Sequence, residues 1–113
     1  MSFPTVPDGI KILSVGELTR TVKELLEGAF PLVWVAGEIS NLSRPSSGHV
    51  YITLKDAAAA LRAVIWRTSA VRLRFEPQEG LEVIARGRLT VYPPKGDYQL
   101  IIDELHPKGM GAR

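Results

Sequence analysis

The stretch LVWVAGEISNLSRPSSGHVYITLKD, Leu32 to Asp56, holds two runs in which apolar residues alternate with polar ones, joined by a loop rich in serine. A period of two marks a strand with one buried face, because successive side chains leave the backbone on opposite sides. In the second run Val50, Ile52 and Leu54 share one face, which puts His49, Tyr51, Thr53 and Lys55 on the other. The pattern recurs downstream. Leu32 to Ser40, His49 to Lys55, Leu61 to Trp66, Leu81 to Tyr92 and Tyr98 to Leu105 read as five strands. Ala57 to Ala60 reads as the tip of the hairpin between the second and third. Pro93-Pro94-Lys95-Gly96-Asp97 joins the last two, with both prolines outside any ladder.

Upstream the period changes. Ser14-Val15-Gly16-Glu17 is a capping box, in which the Ser14 hydroxyl takes the Glu17 N–H and the Glu17 carboxylate reaches back. Val15, Leu18, Val22, Leu25 and Leu26 follow at helical spacing, and Gly28 with Pro31 supplies a stop, predicting a helix over about 14–27. Thr68 to Arg74 has weak helical character and ends before Pro77 and Gly80. One helix, then five strands with a short helix between the third and fourth, is the element order of the OB-fold, a five-stranded antiparallel Greek-key barrel. Gly37 and Gly87 lie inside strands, where a missing side chain permits the bends of a small barrel. The chain is expected to be one domain over 1–113, with the barrel over about 32–107.

With 113 residues, 45% hydrophobic and 23% charged, there is material for a single core and no second one. Cysteine is absent, which excludes disulfide frameworks, thiolate metal sites and cysteine nucleophiles and fits a reducing compartment. No apolar run is long enough for a membrane span, and Met1-Ser2-Phe3-Pro4 lacks the layout of a signal peptide, so a cytoplasmic domain with no membrane partner is expected. Net charge is only +2, but between Arg44 and Lys95 nine basic residues face four acidic ones. Such polarity serves a polyanion, or leaves nine separately solvated charges.

On the third strand Arg62, Val64 and Trp66 oppose Leu61, Ala63 and Ile65. With the aliphatic sets inside the barrel, the outer faces read His, Tyr, Thr, Lys beside Arg, Val, Trp. Bases stack on aromatic rings while cations follow phosphates, so this interleaving is the chemistry of a single-strand platform. The candidate nucleic-acid-binding residues are Arg44, His49, Tyr51, Thr53, Lys55, Arg62, Trp66, Arg67 and Lys95. Arg44 is the foremost cation, displayed by a loop of serine and glycine, and Lys95 is flanked by Tyr92 and Tyr98. Each has a structural alternative. Tyr51 can pack across strands, Trp66 can cover a barrel mouth, and His49, following Gly48, can satisfy loop backbone. Trp34 reads as packing, since Glu38 shares its face, and Arg86 and Arg88 read as solvated.

Leu32 to Asp56 closely resembles the N-terminal domain of the exodeoxyribonuclease VII large subunit. So do Ser14 to Leu18, Val64-Ile65-Trp66-Arg67, Pro77-Gln78-Glu79-Gly80, Gly87-Arg88-Leu89 and Gly96 to Leu100, and the resemblance spans roughly Ile12 to Gly111. It implies an OB-fold that binds single-stranded DNA for a bacterial cytoplasmic nuclease working with copies of a small subunit. The hydrolytic centre is expected downstream of Arg113. Leu42 departs from the family, standing where an aromatic is common, and Ala57 to Ala60 replaces a more polar turn.

The chain itself carries no catalytic motif, and no cofactor or metal is expected. No acid precedes a lysine by two residues, and His49 and His106 are the only imidazoles. Asp103-Glu104 is the one acidic pair, and neighbours on a strand point to opposite faces. Two other readings stand beside DNA binding. Val35 to Ile39, a loop arginine and a second-strand aromatic also resemble the anticodon-binding OB domain of some aminoacyl-tRNA synthetases. Alternatively the chain is an assembly module, docking the small subunit or another copy of itself through Val15, Leu18 and Val22 or through a barrel edge.

Overall fold

A computed structural model describes residues 5–109. Its elements are α1 (Val15–Ala29), β1 (Val33–Ser43), β2 (Val50–Lys55), β3 (Ala60–Ile65), α2 (Arg67–Ala70), β4 (Glu82–Tyr92) and β5 (Asp97–Pro107). The strands close into a barrel in the order β1-β2-β3-β5-β4, with β4 returning to β1. The expected five-stranded Greek-key barrel is therefore present, with one seam that differs from the rest. β3 and β5 run parallel, aligning Arg62 with Gln99 and Val64 with Ile101. Parity requires it: a ring with an odd number of strands cannot be antiparallel at every seam. Among the described residues no helix is long and apolar enough to cross a membrane.

Ile39, Val50, Ile52, Leu54, Ala63, Ile65, Val83, Ala85, Leu100, Ile102 and Leu105 fill the interior. Two bulges shift which residues point inward. On β1 the register with β2 slips between Ser40 and Ser43, where Asn41 adopts φ +51°, so Ile39 and then Leu42 face the core. Leu42, which stands where the family commonly has an aromatic, thus packs against the core. On β5 the pairing runs from Arg86↔Glu104 to Gly87↔Ile102, leaving Asp103 unmatched and putting Ile102 and then Leu105 inward.

The capping box forms as expected: the Glu17 N–H donates to Ser14 Oγ at 3.0 Å and the Ser14 N–H donates to Glu17 Oε1 at 2.9 Å. The Ser14 N–H, and after it the Ser14 hydroxyl, hold the Glu17 carboxyl below its ordinary pKa. The helix runs past Gly28 to Ala29, so that glycine is not the stop. Its end is at Phe30, whose N–H still reaches the Leu26 carbonyl, just before Pro31. At the β2–β3 tip, Asp56 accepts the Ala58 and Ala59 N–H groups at 2.8 and 2.9 Å, giving an alanine-rich turn its polar anchor. α2 is a single turn, shorter than the Thr68 to Arg74 reading, and Trp66 is its N-cap rather than the last residue of β3.

Gly87 is where the barrel tolerates no side chain. A Cβ there would land on the Ile101 carbonyl oxygen and within 3.1 Å of the Ile102 Cα. Gly28 has open space around the position a Cβ would take. Gly87→Ala is therefore expected to cost about 1–3 kcal/mol or more by overpacking, whereas Gly28→Ala should stabilise by about 0.5–1 kcal/mol through helix propensity. Urea denaturation of the two variants checks both signs.

Candidate nucleic-acid interface

Between the end of β1, the outer faces of β2 and β3, and the β4–β5 hairpin lies a groove of about 660 Å³. Five of the nine sequence-predicted residues line it: Tyr51, Thr53, Arg62, Trp66 and Lys95. Strand alternation places Tyr51 and Thr53 outward from β2, and the β2–β3 register sets Tyr51 opposite Val64 and Thr53 opposite Arg62. Val64 is outward-facing as expected, yet only 2% exposed, so it floors the groove under larger side chains. Tyr51 and Trp66 are 41% and 39% exposed, too open for core residues.

His49 sits behind these rings. Its Nδ1 accepts the Arg67 N–H at 2.8 Å, which fixes the neutral tautomer with the proton on Nε2. The imidazole meets the Trp66 ring edge-on at 5.0 Å and the Tyr51 ring at 6.4 Å. His49 thus satisfies the backbone of α2, 18 residues on, not that of its own loop, and in doing so it braces Trp66. The Arg67 side chain lies across Gly48, where a Cβ would meet its Cγ at 2.9 Å, and Gly48 holds φ +91°. Arg67 borders the groove without lining it.

The other two expected cations are engaged elsewhere. Arg44, expected as the foremost cation, is paired with Glu76 at 2.7 Å, tying the β1–β2 loop to the segment before β4. Lys55 lies outside the groove, 3.9 Å from the Glu38 carboxylate. Arg62 keeps a looser contact with Asp97 at 3.7 Å. Among the described residues no aspartate or glutamate lines the groove itself, Asp97 standing just outside it.

Sequence reasoning did not select Asn41, Ser43, Tyr92 or Gln99, which also line it. Asn41 and Ser43 arrive through the β1 bulge, and Gln99 through the parallel seam beside Arg62. Tyr92, 46% exposed, was legible as a ring flanking Lys95. Tyr98 faces a different hollow, beside Leu61.

On the β4–β5 flank of the barrel Arg86 is not solvated. Its Nε and one terminal nitrogen donate to both Asp103 oxygens at 2.9 Å, and the other terminal nitrogen reaches Glu104 at 2.8 Å. The β5 bulge turns these adjacent carboxylates to one side, contrary to simple alternation. Trp34 is 54% exposed, its ring stacked on His106 at 6.3 Å with Arg86 over it at 5.9 Å, so it packs across strands on the outer surface and not in the core.

The closed barrel has counterparts among known proteins. A family model for the OB-fold nucleic acid binding domain matches residues 13–106. The chain belongs to this family. It is 52% identical over 102 residues to the exodeoxyribonuclease 7 large subunit of Xylella fastidiosa (strain M23), covering 90% of this chain and 23% of that protein. To the large subunit of Geotalea daltonii it is 55% identical over 101 residues, 89% of this chain and again 23% of the relative. The OB-fold domain thus spans about a quarter of the length of these relatives. Among solved structures, asparaginyl-tRNA synthetase from Pyrococcus horikoshii matches with a TM-score of 0.58 at 17% identity, over 79% of this chain and 22% of that one. A replication protein A heterotrimer bound to single-stranded DNA matches at 0.55 and 14% identity, over 67% and 56%. Both likenesses are of fold.

The Arg86 hydrogen bonds hold the Asp103 carboxyl below its ordinary pKa. Its contribution to stability is present above the unfolded value of about 3.9 and is lost as pH falls through the lower folded value. Half exposure screens the pair, so the effect should stay under about 1 kcal/mol. Asp103→Asn is expected to flatten the acid limb of a melting-temperature profile below about pH 4. An unchanged limb would place that sensitivity on other carboxylates, Asp56 among them.

Proposed function

We propose that this OB-fold domain binds single-stranded DNA in the groove of Tyr51, Arg62, Trp66 and Lys95, and presents it to a hydrolytic centre elsewhere in a longer exodeoxyribonuclease VII large subunit. The observation that carries the reading is the composition of the groove: three part-exposed rings and two cations, with no carboxylate in its lining. Rings accept any base on their faces, and the cations neutralise phosphates, which gives binding with little sequence preference. His49 positions Trp66, and Arg67 guards the rim. The same proposal makes the parent protein a cytoplasmic hydrolase of bacterial origin that works with a small subunit, while this domain binds without cleaving.

A second role, in assembly, is favoured by α1. A closed barrel has no free edge strand, which leaves the helix as the surface available for docking. Val15, Leu18, Val22 and Leu25 are all exposed, on one seam.

Titration with labelled oligo-dT, oligo-rU and duplex DNA tests the first role. Tyr51→Ala should weaken binding of oligo-dT by about 1–3 kcal/mol and Tyr51→Phe should be nearly silent. Lys95→Ala should flatten the slope of log K against log salt by about 0.7, and Arg62→Ala and Arg44→Ala by less, since Asp97 and Glu76 already face those arginines. Unchanged affinity with a lowered melting temperature in Tyr51→Ala would make the ring a packing residue, and tighter binding of oligo-rU would favour RNA. For α1, Leu18→Glu with Val22→Glu should reduce the sedimenting mass while oligo-dT affinity holds. A mass unchanged from a monomeric wild type would exclude self-association.

A further inference from the structure

α2 has a groove on each side. Trp66, its N-cap, lines the groove described above, and Ser69, three residues later, lines a second hollow of about 800 Å³. One helical turn advances only about 5.4 Å, so α2 is the wall common to both. The second hollow is bounded by Arg72, Arg74 and Phe75 from the loop after α2, by Arg86 on β4 and by Asp103 to Pro107 on β5.

Its acids are already engaged. Both Asp103 oxygens take Arg86, and Glu104 takes Arg86 at 2.8 Å and His106 at 3.0 Å. Arg72 and Arg74 are exposed and make no ion pair among the described residues. At the margin Trp34 stacks on His106, which itself lines the hollow, so an aromatic surface stands beside the free arginines. Arg67, the first residue of α2, is likewise without an ion pair among the described residues, its side chain lying across Gly48. Arg62, Arg67, Arg72 and Arg74 therefore follow one another along the chain from the first groove to the second.

We propose that a single strand longer than the first groove crosses α2 and continues into this second hollow, its phosphates on Arg72 and Arg74 and its bases against the Trp34–His106 pair. The inference rests on the reading of the first groove as a single-strand site and extends it. It makes the domain a wrapping surface, with a site size toward the upper end of the range of about 4–16 nucleotides found for OB-folds.

The test compares oligo-dT of about six and about 20 nucleotides, a short and a long occupant on that scale, against the wild type, the Arg72→Ala/Arg74→Ala double variant and Tyr51→Ala. The double variant should bind the short oligonucleotide within about twofold of wild type, and its salt slope on the long one should flatten by about 1.4, at about 0.7 for each phosphate no longer neutralised. Tyr51→Ala should weaken both. If the double variant matches wild type on the long oligonucleotide while Tyr51→Ala weakens both, the extension is wrong and the first groove stands. Equal losses on short and long would put the two arginines in the first groove and also overturn it. A wild type that binds neither oligonucleotide refutes both readings together.

Discussion

Barrel closure depends on the bare backbone of Gly87. β4 must reach β1 on one side and β5 on the other, and Gly87 is the residue paired with Val33 across the first seam and Ile102 across the second. The β5 chain approaches so closely here that its Ile101 carbonyl occupies the space of a Cβ. That approach coincides with the bulge that ejects Asp103. The unmatched residue turns Asp103 and Glu104 to one side, where Arg86 binds both. A single missing methyl group thus sets the pairing at two seams, the inward phase of β5 and the charge arrangement on one flank of the barrel.

The elements that local chemistry determines were legible in the sequence. The capping box, the five alternating runs, the proline-bearing hairpin and the inward set of β2 depend on residues a few positions apart, and each formed where the pattern placed it. What escaped was phase. A bulge adds one residue to one strand only, so alternation read straight through it separates Asp103 from Glu104. Asn41 at φ +51° was the local signal on β1, since asparagine tolerates that conformation better than most residues. The parallel seam that brings Gln99 beside Arg62 has no local signature at all; it follows from counting strands around a closed ring.

Charge was the least legible feature, for a related reason. The excess of basic residues between Arg44 and Lys95 was plain, but which cations remain free is decided by acids far away in sequence. Arg44 meets Glu76, 32 residues on, and Arg86 meets Asp103, 17 residues on. The cations left outside ion pairs among the described residues include Lys95 in the first groove and Arg67, Arg72 and Arg74 around α2. Pairing thus moves the free positive charge away from the β1–β2 loop and toward α2. A polyanion senses that residual distribution, not the total, because a cation already facing a carboxylate releases fewer counterions when a phosphate arrives.

α1 reverses the usual arrangement of an amphipathic helix, and its attachments explain how. Thr19, Lys23, Leu26 and Glu27 are the half-buried positions, while Val15, Leu18, Val22 and Leu25 face solvent. Polar ties at its C-terminal end hold it in this orientation: the Thr90 hydroxyl donates to Glu27 at 2.7 Å and the Leu89 N–H donates to the Phe30 carbonyl at 3.1 Å. The radius of gyration, 18.4 Å against about 13 Å for a compact domain of 100 residues, reflects a helix that stands off the barrel. Burial on this barrel therefore contributes little to α1, and its exposed residues are spaced 3, 4 and 3 apart, the seam by which helices pair. A stripe of that spacing has no use in solvent, where it costs solubility. Its chemistry is complete only against another apolar surface, so under the proposed function the barrel groove serves the polyanion and the helix seam the assembly role.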